Sequence, residues 1–208
     1  KNKPVFMIGN GPSLSETPLD QIKGMYSFGL NRISLIYDKV KWRPDFFVCT
    51  TLNIAHEEWR RDIINTMLLG TPSYVWDQLG KYVEQYHFKN VAYINCTHGR
   101  EVVNYAPDEW WSYDASQRVC KFGTSMLAAL QVAVYMGFNP IYLLGCDLGF
   151  KPPIQVNGSS NIIHGASQQI QKDPNHFAGN YGTPGCTPDV LNTNMLAAHE
   201  LAYKAAEK

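Results

Sequence analysis

Short apolar runs alternate with amphipathic or polar stretches along the first three quarters of the chain, and their spacing predicts strands and helices in turn. Residues 5–8 (Val-Phe-Met-Ile) read as a buried strand, followed by a short helix over 17–23. A second strand is expected over 26–30 and a helical turn over 33–39; Pro44 introduces a third strand over 45–49. Asn53 is expected to cap a helix whose first turns carry Glu57 and Glu58, favourable to the helix dipole, with Ile63, Ile64, Met67 and Leu68 facing inward. Strands over 73–76 and 91–95 flank a helix over 78–86. Residues 126–136 are almost wholly apolar, which predicts a helix buried between layers and stopped by Gly137; residues 141–144 form the clearest strand of all. Thr187 and Pro188 open a last helix as cap and first turn, with Leu191, Met195, Ala198, Ala202 and Ala205 on its apolar face. Such alternation implies an α/β, Rossmann-like fold, a mainly parallel sheet with helices on both faces.

Between residues 151 and 187 the periodicity disappears, and Pro, Gly, Asn, Ser and Gln dominate. A loop this long in a compact domain is functional or disordered. Residues 148–187 are therefore expected to form a lid or active-site loop on one domain spanning 1–208, a length that fills one α/β core and is short for two. Residues 101–117 are aromatic and irregular, with Pro107 in the middle.

Bulk properties narrow the classes. Apolar residues make up 45% of the chain and charged ones 17%, which excludes disorder, and 18 Lys+Arg balance 18 Asp+Glu, so no global field draws in nucleic acid or an anionic membrane. The longest apolar stretch, 126–136, contains Gln131 and is too short to cross a bilayer, so no transmembrane segment is expected. Five scattered cysteines without a Cys-x-x-Cys pair suit reduced thiols and a cytoplasmic location, with peripheral membrane association left open. No Asp-x-Asp pair exists, and His56, His87, His98, His164 and His199 show no ligand spacing, so no metal and no resident cofactor are expected.

Candidate chemistry begins at Gly9-Asn10-Gly11-Pro12-Ser13-Leu14, directly after the first strand. A glycine-rich turn there can offer backbone N–H groups to a phosphate, with Gly9 and Gly11 free to take left-handed angles, Pro12 stiffening the exit, and Asn10 and Ser13 adding polar side chains. A dinucleotide fingerprint would need a small residue at Leu14 and an acid roughly 20 positions on. The second strand ends instead in Asn31, whose amide can donate to a phosphate or sugar oxygen, so a nicotinamide-dependent dehydrogenase ranks low. Gly123-Thr124-Ser125 at a helix start is either an ordinary cap or a contact to a nucleobase or phosphate. Asp147, following Gly145 and Cys146 at the end of a strand, stands where α/β folds keep ligands or caps a turn. His176, within Asp173-Pro174-Asn175-His176-Phe177, is of the residue type that takes a proton from a hydroxyl near neutral pH, although a lone loop histidine is more often only solvated.

Taken in order, Ile8–Leu14, Phe28-Gly29-Leu30-Asn31-Arg32, Gly123-Thr124-Ser125, Tyr135-Met136-Gly137-Phe138, Ile141–Asp147 and Asp173–Phe177 resemble two related families. One is the bacterial sialyltransferases that extend lipooligosaccharide. The other, more similar and matching nearly the whole chain, is the MptE-like group of flagellin glycosylation factors and archaeal hydroxymethylpterin pyrophosphokinases. The resemblance implies a metal-independent, inverting glycosyltransferase that moves a sugar, a nonulosonic acid such as sialic acid, from a CMP-type donor to a hydroxyl of a glycan or protein. It implies that Asn10, Ser13 and Asn31 contact the phosphate and sugar, that Thr124 and Ser125 meet the nucleotide, and that His176 is the general base. Thr50 occupies the end of the third strand, where the sialyltransferases carry another nucleotide-contacting asparagine, and Tyr181 is the tyrosine available to hold the leaving phosphate. Two alternatives stay open: a pyrophosphokinase using ATP and Mg²⁺ held by Asp147 and Asp173, and a non-catalytic nucleotide- or carbohydrate-binding relative. The partner is a nucleotide-activated small molecule, with no nucleic acid; a homo-oligomer is compatible with the sequence.

Overall fold

The structure, a computed structural model, describes residues 2–97, 111–121, 124–149, 151, 173–178, 181–182 and 188–206. Gly123, Cys186, residues 101–110 and most of the expected lid over 148–187 lie outside the described residues. The strands are β1 (Lys3–Ile8), β2 (Tyr26–Leu30), β3 (Phe46–Cys49), β4 (Ser73–Trp76), β5 (Val91–Ile94), β6 (Cys96–Thr97), β7 (Val119–Cys120) and β8 (Phe138–Leu144). Six of them form one sheet in the order β5-β4-β3-β2-β1-β8, with every neighbouring pair parallel. The two-residue strands β6 and β7 pair separately, also in parallel. This is an α/β, Rossmann-like fold.

Four α-helices are described: α1 (Glu57–Met67), α2 (Gly80–Val83), α3 (Ser125–Tyr135) and α4 (Pro188–Ala206). The apolar run predicted to lie between layers is α3, buried from Met126 through Ala133 and packed on β1, β2, β3 and β8, with α4 against it. The buried amide among these residues, Gln131, explains how a polar group survives there. Its Nε2 donates to the Cys120 and Leu127 carbonyls, and its Oε1 accepts from the Ser112 and Cys120 N–H groups. A fully satisfied amide costs little and pins β7 to α3. On α4, Ala198 and Leu201 are buried; Leu201 was absent from the expected apolar face, and the side chain of Leu191 lies outside the described residues.

Several helices expected from the sequence are shorter and tighter. The segment expected over 17–23 is split into 3₁₀ turns Pro12–Glu16 and Leu19–Ile22, because Pro18 has no N–H to give and disfavours a helical Thr17. Residues 33–36 form one 3₁₀ turn, and α2 is a single α turn flanked by 3₁₀ turns. Asn53 does not cap α1. Its backbone N–H donates to Thr51 Oγ1 in the 3₁₀ turn Leu52–Ala55, and α1 begins only after the extended His56. β8 starts three residues earlier than expected and runs through Pro140, which an edge strand tolerates. No helix among the described residues is long and apolar enough to cross a membrane.

The chain steps outward from β1 to β5 and then returns to the opposite side of β1. Strand order therefore reverses between β1 and β8, and the resulting crevice at their carboxyl ends is where α/β sheets hold ligands.

Candidate functional site

A cavity of about 370 Å³ lies at this crevice, walled by the residues that follow β1, β2, β3 and β8. Gly9, Asn10, Gly11, Asn31, Thr50, Thr124, Ser125, Gly145, Asp147, His176 and Tyr181, eleven of the positions singled out from the sequence, line it together. Pro12 and Ser13 are not among the lining residues, and Gly123 lies outside the described residues.

The glycine turn is built differently from the expectation. Neither Gly9 nor Gly11 has a left-handed φ. Their missing side chains are needed for close approach: a Cβ on Gly9 would lie 2.3 Å from the Gly145 carbonyl oxygen, and one on Gly11 would lie 2.1 Å from Asp147 Oδ2. The left-handed glycine is Gly145, with φ +63°. Most of the turn's backbone donors are also already taken. Gly9 and Gly11 donate their N–H groups to the Leu144 and Gly145 carbonyls at 2.8 Å, and Ser13 gives both its N–H and its hydroxyl to Asp147 Oδ2. The turn splices β1 to β8 and does not present a nest of N–H groups to an anion.

Asn10 is fixed just as firmly. Its Nδ2 gives one of its two N–H groups to the Leu30 carbonyl at 3.0 Å, and its Oδ1, an acceptor, is buried without a hydrogen-bond partner among the described residues. Asn31, at φ +47°, faces the opposite wall and exchanges hydrogen bonds with Ser125 Oγ, which in turn lies 2.7 Å from Thr50 Oγ1. Three residues from β2, β3 and α3 thus form one polar cluster. Thr124 caps α3 by accepting from the Met126 N–H, so the positive end of the α3 dipole opens on the cavity.

Lys121 also lines the cavity, one of several wall residues that no sequence motif marked. It follows β7, is only 7% exposed, donates to the Thr50 carbonyl at 2.9 Å and lies 3.8 Å over the Trp76 ring. Burial pulls its ammonium down to about 8, against the opposing influence of Cys96 and Cys49. Both thiols are themselves pushed up to about 12, chiefly by burial, so they are neutral near pH 8 and leave the lysine with little anionic company. No pattern in the irregular stretch around it marked this position; only the pairing of β6 with β7 and the Gln131 clamp bring it to the cavity.

His176 is held on three sides. Its Nδ1 lies 2.8 Å from Asp173 Oδ2, and both side chains are more than nine-tenths buried. Its ring stacks flat on Tyr181, with centroids 3.9 Å apart and planes within 5°. The loop is stitched to the glycine turn by the Phe177 N–H, which donates to the Asn10 carbonyl. Burial alone would raise the Asp173 carboxyl, but the His176 hydrogen bond and charge and the N–H groups of Asn175 and Gly182 outweigh it and hold it below its ordinary value. An ionised Asp173 can only accept, so Nδ1 carries the proton and Nε2 is the basic nitrogen of the neutral ring. Asp147 and Asp173, the carboxylates a Mg²⁺-dependent reading needs, are thus engaged by Ser13 and by His176.

Tyr181 lines the cavity but is built into its support. Burial pushes its hydroxyl far above the ordinary range, partly offset by the backbone and charge of Arg32, so it stays neutral. Its ring meets Trp59 edge-on, and its carbonyl accepts from Arg32 Nη1. Arg32 is 1% exposed and also donates to Asp62 and Glu58 of α1.

No family model and no curated protein matches the chain. Among solved structures it is similar to the sialyltransferase CstII from Campylobacter jejuni, described in complex with a substrate analogue, cytidine-5′-monophosphate. Identity is 17% over 99% of this chain and 77% of that one, with a TM-score of 0.44.

Proposed function

We propose that this protein is a metal-independent glycosyltransferase that takes a sugar from a CMP-type donor and passes it to an acceptor hydroxyl. The observation that carries the reading is that His176, paired with Asp173, lines the same cavity as a buried lysine and the N-terminus of α3. Nδ1–H of His176 donates to Asp173, and Nε2 takes the proton of the acceptor hydroxyl as its oxygen bonds to the sugar's anomeric carbon. The bond from that carbon to the phosphate oxygen breaks, and CMP leaves with the electron pair. Lys121 and the N–H groups of the first turn of α3 stabilise the negative charge left on the phosphate. The Asn31–Thr50–Ser125 cluster orients the nucleotide. A nonulosonic acid, itself anionic, fits a donor of this kind.

The test is a thermal-shift titration with CMP, CDP, ATP and UMP, with and without Mg²⁺. CMP at a hundred times its Kd is expected to stabilise the protein by about 2.7 kcal/mol, roughly 5–10 °C, without metal. A response to ATP that requires Mg²⁺ would replace this reading with the pyrophosphokinase one, and no response to any cytidine nucleotide would remove it.

Lys121 gives the same reading a pH signature. CMP affinity is expected to hold steady up to about pH 8 and then fall about tenfold per unit as the ammonium loses its proton. Its folded value lies below that of the unfolded chain, so the charged lysine costs the fold stability below about pH 8, a cost that fades as pH rises toward 10.5. Lys121→Met is therefore expected to stabilise the free protein at pH 7 by on the order of 2–3 kcal/mol and to weaken CMP binding roughly ten- to a hundredfold. Chemical denaturation and calorimetric titration check the two halves. A variant that is less stable yet binds CMP as the parent does would remove Lys121 from the site.

A further inference from the structure

The cavity has one wall that the proposed reaction does not use. Helix α4 contributes Met195 and His199, one turn apart. His199 Nδ1 lies 2.8 Å from the Met195 carbonyl oxygen. A carbonyl only accepts, so Nδ1 carries the proton, and in the neutral ring Nε2 is left with its lone pair. Nε2 is shielded from solvent and has no hydrogen-bond partner among the described residues. Oδ1 of Asn10, another residue lining this cavity, is also shielded and without a partner among the described residues, while one amide N–H is committed to the Leu30 carbonyl. Buried polar atoms are nearly always paired in folded proteins, so two orphans on residues that line one cavity call for a common explanation. Both are acceptors. With the His199 ring neutral, neither atom can satisfy a phosphate oxygen, which also accepts; each then needs an N–H or O–H group brought by the ligand.

We propose that His199 is a specificity-determining residue of the donor site, accepting a hydrogen bond from a hydroxyl or exocyclic amine of the bound nucleoside, with Asn10 Oδ1 accepting a second. The inference rests on the nucleotide reading given above and deepens it, dividing the cavity by hydrogen-bonding sense. Lys121 and the start of α3 donate and receive the phosphate; Asn10 and His199 accept and read the nucleoside. A site built to accept from a ligand group rejects an analogue lacking that group, because the acceptor is then left buried and unpaired.

The experiment is calorimetric titration of CMP, 2′-deoxy-CMP, 3′-deoxy-CMP and UMP, the last of which replaces the cytosine amine by a carbonyl. The parent is expected to bind at least one analogue roughly ten- to a hundredfold more weakly than CMP. His199→Phe, which keeps the ring's shape without the acceptor, is expected to erase one of these preferences and leave the others. His199→Gln, which restores an acceptor oxygen, is expected to recover part of it. In the parent, the ¹⁵N resonance of His199 Nε2 is expected to move on CMP binding, a readout that needs no variant to fold. Equal weakening of all four ligands by His199→Phe, unchanged preferences in that variant, or an Nε2 resonance indifferent to CMP would each overturn the inference while leaving nucleotide binding intact. A parent that binds none of the four brings down the nucleotide reading itself, an outcome visible before any variant is made.

Discussion

Replacing His176 by alanine is expected to cut transfer from the activated donor by about 10²–10⁴ while CMP affinity stays within about threefold. The split follows from where the contacts lie. The phosphate and nucleoside are assigned to Lys121, the first turn of α3, the Asn31–Thr50–Ser125 cluster, Asn10 and His199, none of which depends on the imidazole of His176. The proton on the acceptor hydroxyl is assigned to His176 alone, and its removal matters only as the new bond forms. Asp173→Asn supplies a control on orientation. An amide at 173 can donate to Nδ1 through its nitrogen, which would move the ring proton to Nε2 and disable the base without emptying its position. Both variants are therefore expected to bind CMP and turn over slowly. Steady-state rates with a CMP-activated sugar, beside calorimetric binding of CMP, separate the two quantities. Parent-like turnover in His176→Ala would end the claim that this residue acts as the base and favour a binding protein without catalysis.

The sheet was readable because its strands are short, mostly apolar runs; the central ones, β1, β2 and β3, are largely buried and closed by Gly9, Asn31 and Thr50. Thr124 as a cap and Pro188 as a first turn were readable for similarly local reasons. What failed were inferences that needed the partner of a group. Gly9 and Gly11 looked like a phosphate loop because glycine permits both left-handed angles and close approach, and the sequence cannot say which is in use. Asp147 answers that for Gly11, since it fills the space a Cβ would take. For Asn10, expected at the phosphate and sugar, the sequence cannot show that the Leu30 carbonyl takes one of its two amide N–H groups. Lys121 and His199 were invisible for the opposite reason: each is one ordinary residue in a stretch without a motif, and reaches the cavity only through β7 and α4. The positions for nucleotide contact were thus legible as a set of strand ends, while the hydrogen-bonding sense of each required the fold.

Arg32 completes the picture, and replacing it by methionine is expected to cost about 3–5 kcal/mol of stability, roughly 10 °C or more in Tm. Its guanidinium donates through Nε to Asp62 at 2.8 Å, to Glu58 at 2.9 Å and through Nη1 to the Tyr181 carbonyl, between the rings of Trp59 and Tyr181. Methionine fills the volume but leaves the Asp62 carboxylate buried, with only the exposed Arg61 at 3.7 Å, among the described residues, to answer it. Most of the loss is the cost of that uncompensated charge, so Arg32→Met combined with Asp62→Leu is expected to regain much of it. The double variant then isolates a second role. Tyr181 is the surface on which His176 stacks, and Arg32 is what fixes Tyr181 to β2 and α1. At a temperature well below its Tm, the double variant is expected to bind CMP like the parent yet turn over at least tenfold more slowly, because the imidazole has lost its backing. Arg32→Lys, which keeps the charge but cannot reach three partners with one planar fork, should fall between. Thermal melts and kcat against Kd across the three variants decide the matter: a stable Arg32→Met, or a restored double variant with full kcat, would reduce Arg32 to an ordinary surface-independent ion pair with no bearing on the base.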